Sequence, residues 1–112
     1  MRILLDSCVP RKLAREISMH QVRTAPQLGW GDFDDGPLLN AMTRDFDALV
    51  TVDKSLRHQQ NLSIRPFGVI ILRAKTNRIA DLLPLVPELR VVLDEIQPGE
   101  VREIGITKED SK

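Results

Sequence analysis

Short apolar runs that stop abruptly at acidic or turn-forming residues alternate along this chain with stretches of helical period. Ile3-Leu4-Leu5 is a continuous apolar run that ends at Asp6, the pattern of a strand covered on both faces. Pro10 suits the first turn of a helix, where no N–H is needed. Val9, Leu13 and Ile17 then recur at i, i+4 and i+8 on one helical face. Gln21-Val22-Arg23-Thr24 predicts a second, shorter strand. Pro26 to Gly36 carries three glycines and no helical period, hence a loop.

Asp34-Asp35-Gly36-Pro37 has the chemistry of a helix start, with Asp as cap and Pro in the first turn. Leu38, Leu39, Met42 and Phe46 supply its apolar face. Ala48-Leu49-Val50-Thr51-Val52 is a third strand, stopped by Asp53, and Phe67-Gly68-Val69-Ile70-Ile71-Leu72 is the fourth and most apolar. Ile79, Leu82, Leu83, Val86, Leu89, Leu93 and Ile96 follow at helical spacing, kinked or split by Pro84 and Pro87. Pro98-Gly99 closes that helix, and Val101 to Ile106 alternates as a last, edge strand. Strands alternating with helices predict an α/β fold with a mainly parallel sheet between helices. Right-handed crossovers would bring the strands' carboxyl ends, where such folds bind ligands, to one edge. The polar stretch Thr107 to Lys112 is expected to be a flexible tail.

At 112 residues the chain has the size of one domain, with 42% hydrophobic residues for a single core. Its formal net charge is zero, so nucleic-acid binding would need a local basic patch. Cys8 is the only cysteine, which excludes an intramolecular disulfide and fits a reducing compartment. No apolar run approaches a membrane span, and the N-terminus meets Asp6 too early for a signal peptide. The expected location is cytoplasmic. Aromatics are 4% with no tyrosine, which argues against base-stacking platforms.

Two strands end in aspartate, Leu5-Asp6 and Val52-Asp53, so both acids fall at the ligand edge. Like charges held close are unfavourable unless one is protonated or a cation lies between them. A hard divalent cation such as Mg²⁺, which takes one or two carboxylates beside waters and substrate phosphates, meets that need. Asp35, at the head of the second helix, is the candidate third carboxylate. Charge is also segregated: Lys54 to Ala80 contains no acid but holds Lys54, Arg57, Arg65, Arg73, Lys75 and Arg78, with His58, whereas Asp32, Asp34, Asp35, Asp45 and Asp47 crowd the preceding segment. Acids that hold a metal beside cations that hold a backbone are the requirements of phosphodiester cleavage. Lys54, Arg57, Arg73 and Arg78 are the candidate RNA-backbone contacts.

Each candidate also has a plainer role. Asp6 would cap the helix near Pro10, Asp53 a turn through Ser55 and Leu56, and Asp35 its own helix. Thr51 could orient a carboxylate, though β-propensity alone accounts for it. Cys8 has no base paired with it, and the lone His20 and His58 have no zinc-ligand spacing. Trp30 is a core or interface anchor.

Met1-Arg2-Ile3-Leu4-Leu5-Asp6-Ser7-Cys8-Val9-Pro10, Val22-Arg23-Thr24 with Leu28-Gly29-Trp30, and Asp35-Gly36-Pro37-Leu38-Leu39 form a recurring set with Leu49-Val50-Thr51-Val52-Asp53-Lys54-Ser55-Leu56. Gln59-Gln60-Asn61-Leu62 and the stretch from Asn77 to Pro87 complete it. Together, to about Val101, these segments resemble a family of short bacterial PIN-like domains, distantly related to VapC-type PIN ribonuclease toxins. The resemblance implies a single PIN-like domain over residues 1–106, built as a three-layer α/β/α sandwich, and a Mg²⁺- or Mn²⁺-dependent ribonuclease. It implies metal binding by Asp6 and by Asp53 of the Thr-x-Asp motif, with Asp35 as third acid. It further implies a small antitoxin protein and a homodimer as partners besides RNA. The chain departs from PIN nucleases in offering no fourth acid between Asp53 and Asp81; only Asn61 or Asn77 could stand in. Two alternatives follow. One is a non-catalytic PIN-like module that binds a partner protein or RNA. The other is a phospho-accepting receiver domain, disfavoured because Ser7 follows Asp6 and because Lys108 lies in the tail.

Overall fold

Five parallel strands in the order β2-β1-β3-β4-β5 form the centre of the computed structural model, which describes residues 1–105. The strands are β1 (Arg2–Leu5), β2 (Gln21–Thr24), β3 (Ala48–Thr51), β4 (Gly68–Arg73) and β5 (Val101–Gly105). Four α-helices connect them: α1 (Asp35–Met42), α2 (Leu56–Gln59), α3 (Ile79–Leu82) and α4 (Val86–Glu95). The fold is α/β, and its sheet is wholly rather than mainly parallel. Ile106 and the expected tail from Thr107 to Lys112 lie outside the described residues.

Side-chain alternation divides the core in two. Ile3, Leu5, Ala48, Val50, Ile70 and Leu72 point to one face, where Leu13 and Ile17 meet Leu82, Leu89 and Leu93. Leu4, Leu49, Val69 and Ile71 point to the other and pack on Leu38, Leu39, Met42, Leu56 and Phe67. Both faces are therefore covered, which is why residues 3–5, 48–50 and 69–72 are apolar without interruption.

Several elements differ from expectation. The segment Arg11–Ile17 winds as a 3-10 helix, with Leu13 N–H donating to the Pro10 carbonyl at 3.0 Å. β3 leaves the sheet at Thr51, one residue before Val52, and β4 runs from Gly68 to Arg73 rather than from Phe67. The short helix α2 had no periodic signal, since four residues are too few to show one. The long C-terminal pattern is split as its prolines demand: Pro84 lies in a 3-10 turn, Leu83–Leu85, and Pro87 in the first turn of α4. Gly68 is required by packing, because a Cβ there would collide with Ile96 and stand 3.1 Å from the Gln97 carbonyl oxygen.

The crossovers correct a second expectation. β3→β4 and β4→β5 step in the same direction along the sheet, yet α2 covers one face and α3 and α4 the other. The two connections therefore have opposite hands, and they cannot both be right-handed. The strand order 2-1-3-4-5 is also that of flavodoxin-like and receiver folds. A fold whose crossovers all share one hand would place the β4→β5 helix on the α2 face. No helix among the described residues is long and apolar enough to cross a membrane.

Candidate metal centre

β1 and β3 are neighbours, but the chain leaves β1 toward β2 and leaves β3 toward β4, in opposite directions. Their carboxyl ends are thus a topological switch point, where connections diverge and open a crevice. Asp6 stands there. Its backbone N–H donates to the Val50 carbonyl at 3.0 Å, extending the β1–β3 ladder by one residue. Its side chain does not cap the following helix. Oδ1 accepts the Ser7 N–H at 2.7 Å and Oδ2 accepts the Thr51 hydroxyl at 2.7 Å. Asp6 is 9% exposed and Thr51 fully buried, so the pair is sheltered from competition with water.

Thr51 ties both aspartates together. While donating to Asp6, its Oγ1 accepts the Asp53 N–H at 3.1 Å. The threonine of the Thr-x-Asp motif is thus a carboxylate orienter. The Cys8 thiol lies 3.6 Å from the same hydroxyl. Burial, foremost, pushes that thiol above its ordinary value, with the Asp6 charge adding to it, so Cys8 is a protonated neighbour rather than a nucleophile.

Asp53 has the turn-capping role foreseen for it. Oδ1 accepts the Ser55 N–H at 3.0 Å and the Ser55 hydroxyl at 2.6 Å, capping the turn into α2. Oδ2 has no hydrogen-bond partner among the described residues. Asp35 is the first residue of α1, after Asp34 at the cap position, and neither side chain makes a capping bond. Partial burial first, then the charges of Asp53, Asp6 and Asp34, raise the Asp35 carboxyl above the usual range. Asp6, Asp35 and Asp53 thus lie near enough for their charges to oppose one another.

The donor set suits Mg²⁺ or Mn²⁺: carboxylate oxygens with free lone pairs at a switch point, no soft ligand required. Among the described residues no three His, Cys, Asp or Glu side chains converge tightly enough to ligate one ion by themselves. An ion here would take one or two carboxylates and complete its shell with water.

Of the two asparagines considered for the missing fourth acid, Asn77 reaches this edge, donating from Nδ2 to the Cys8 carbonyl at 3.0 Å. Asn61 instead accepts from Ser63. Lys54, Arg73, Lys75 and Asn77 line a cleft of about 440 Å³ at the carboxyl ends of β3 and β4. Arg78 is exposed beside Asn77. Arg57 and Arg73 both pair with one carboxylate, Glu103 of β5. Glu103 lies 30 residues beyond Arg73, outside the acid-free basic stretch, and only strand pairing brings it back. Burial alone would raise the Glu103 carboxyl, but the hydrogen bonds and charges of Arg57 and Arg73 outweigh it and hold it below its ordinary value. Trp30 is an anchor, edge-on to Phe46 with centroids 6.1 Å apart, on the α1 face of the sheet. Protein-family models, curated proteins and solved structures were all compared with the chain, and none matches it significantly.

Proposed function

We propose that this chain is a PIN-like metal-dependent ribonuclease of α/β/α sandwich architecture, the toxin half of a bacterial toxin–antitoxin pair. The observation that carries this proposal is the Asp6–Thr51–Asp53 relay at the switch point. Asp6 and Asp53 would hold Mg²⁺ or Mn²⁺, with water completing the shell and Asp35 adding its negative charge from outside it. When bound, such an ion polarises a phosphate and lowers the pKa of a water.

The remaining work falls to the chain's own side chains. Thr51 fixes the Asp6 carboxylate in one orientation through its hydroxyl on Oδ2. Ser55 does the same for Asp53 and leaves Oδ2 free. Lys54, directly after Asp53, and Arg73 and Lys75 across the cleft present positive charge to an RNA backbone. Burial and the charges of the neighbouring acids raise the Asp35 carboxyl, which supports counting it with this acidic edge.

The test is cleavage of a mixed RNA pool with Mg²⁺ or Mn²⁺ by the wild type and by Asp6→Ala and Asp53→Ala variants of confirmed fold. Cleavage lost in both variants is expected. Cleavage retained in either would refute the assignment.

The absence of a fourth acid between Asp53 and Asp81 favours a second reading, a PIN-like module that binds a protein or RNA without cutting it. RNA binding without cleavage, under any divalent ion, would select it.

A further inference from the structure

Glu103 receives one guanidinium on each oxygen: Arg57 Nη1 on Oε2, and Arg73 Nη1 on Oε1 at 3.1 Å. The three residues come from α2, β4 and β5. Two guanidinium groups that converge on separate oxygens of one anion have the arrangement that holds a phosphate. Lys54, Ser55 and His58 join them around an open pocket of about 540 Å³. Lys54, Arg57 and Arg73 set three positive charges there against one carboxylate.

We propose that Arg57 and Arg73 are the seat of a phosphate group on a nucleic-acid strand, and that Glu103 is a displaceable carboxylate filling that seat in the free protein. The site deepens the ribonuclease proposal and rests on it for the identity of the strand.

Exposure makes the exchange feasible. The Arg57, Arg73 and Glu103 side chains are 41%, 30% and 20% exposed, so water screens their pairing and a phosphate can compete for it. Position makes it useful. The cleft beside the acid pair shares Lys54 and Arg73 with this pocket. Ser55 lines the pocket while holding Asp53 Oδ1 through its N–H and hydroxyl. A phosphate in the seat therefore anchors the strand beside the turn that carries Asp53. Glu103 also selects against weak anions, since a ligand must replace both of its bonds to enter.

The experiment measures the affinity of the full chain for a fluorescent ten-residue oligouridine by anisotropy, at low salt in EDTA so that nothing is cut. Glu103→Gln keeps an acceptor for the arginines but removes the charge. It is expected to tighten binding by roughly three- to tenfold, the scale of one screened surface charge. The same change should have no effect when Arg57 and Arg73 are both alanine. Unlabelled inorganic phosphate at millimolar concentration should displace the strand from Glu103→Gln and leave the double-alanine variant's binding unchanged.

In wild-type protein, independent of any variant's folding, the Nε–H signals of Arg57 and Arg73 should shift together on titration with inorganic phosphate. Unchanged or weaker binding by folded Glu103→Gln would overturn the proposal, as would arginine signals that stay still. Tighter binding of a polyglutamate peptide than of the oligouridine would also overturn it, in favour of a protein ligand. Cleavage separates the two proposals. Tightened binding without cleavage by the wild type leaves the seat standing and removes the nuclease; cleavage with indifferent Glu103→Gln does the reverse.

Discussion

The Thr51 hydroxyl donates to Asp6 Oδ2 at 2.7 Å across the junction of β3 and β1, fully buried on the threonine side. Through the same oxygen, Thr51 accepts the Asp53 N–H. One hydroxyl thus sets the orientation of one candidate ligand and the backbone position of the other. Thr51→Val keeps the shape and removes both bonds, leaving a buried carboxylate oxygen with one partner fewer. We expect a loss of about 1–3 kcal/mol in unfolding free energy, read from urea denaturation. Divalent-ion affinity should fall by about tenfold or more, as for other residues that orient ligands, read by calorimetry. Unchanged ion affinity in a folded Thr51→Val would show that Thr51 supports the strand alone.

Asp6→Asn and Asp53→Asn test whether the two carboxylates share a cation. An ion that binds only the folded chain stabilises it by about 2.7 kcal/mol at a hundredfold excess over its Kd. Mg²⁺ or Mn²⁺ should therefore raise the wild type's thermal midpoint, and raise that of neither variant. A rise that survives in one of them would place the ion on the other carboxylate alone.

Asp35 predicts a pH dependence. Its folded carboxyl is raised above the ordinary 3.8 by burial and by the charges of Asp53, Asp6 and Asp34. Between 3.8 and the raised value the folded chain binds more protons than the unfolded one, so this group lowers stability as pH rises through that interval. Below 3.8 the group is protonated in both states and contributes nothing. The advantage of Asp35→Asn over wild type should accordingly grow as pH rises through the carboxylate range and then level off. Mg²⁺ should shrink it. A difference that stays flat with pH would separate Asp35 from the other acids.

Gly68→Ala should destabilise the fold without touching the acid cluster. The added methyl meets Ile96 and approaches the Gln97 carbonyl oxygen to 3.1 Å, where α4 hands over to the turn before β5. Overpacking of this kind costs about 1–3 kcal/mol, measured by denaturant midpoint. Ion binding should be unaltered in the folded fraction.

Local pattern made much of this protein legible. Apolar runs stopping at or near Asp6 and Asp53 marked β1 and β3, because a strand covered on both faces is apolar over most of its length. Pro84 and Pro87 marked the division of the last helical stretch, because proline removes a donor wherever it occurs. The same patterns put Asp6 and Asp53 at the carboxyl edge and Asp35 at the head of α1. The rest depends on which distant segments lie side by side, and no local period records that. Strand order made Thr51 the partner of Asp6, 45 residues away. The pairing of β4 with β5 brought Glu103 onto Arg57 and Arg73, answering a basic stretch that has no acid of its own. The faces chosen by α2 and α4 gave successive crossovers opposite hands. Burial and periodicity act within a few residues, so sequence alone determined the strands, the longer helices and the acids at their ends. Pairing, charge compensation and hand arise between elements, so only the tertiary structure could decide them.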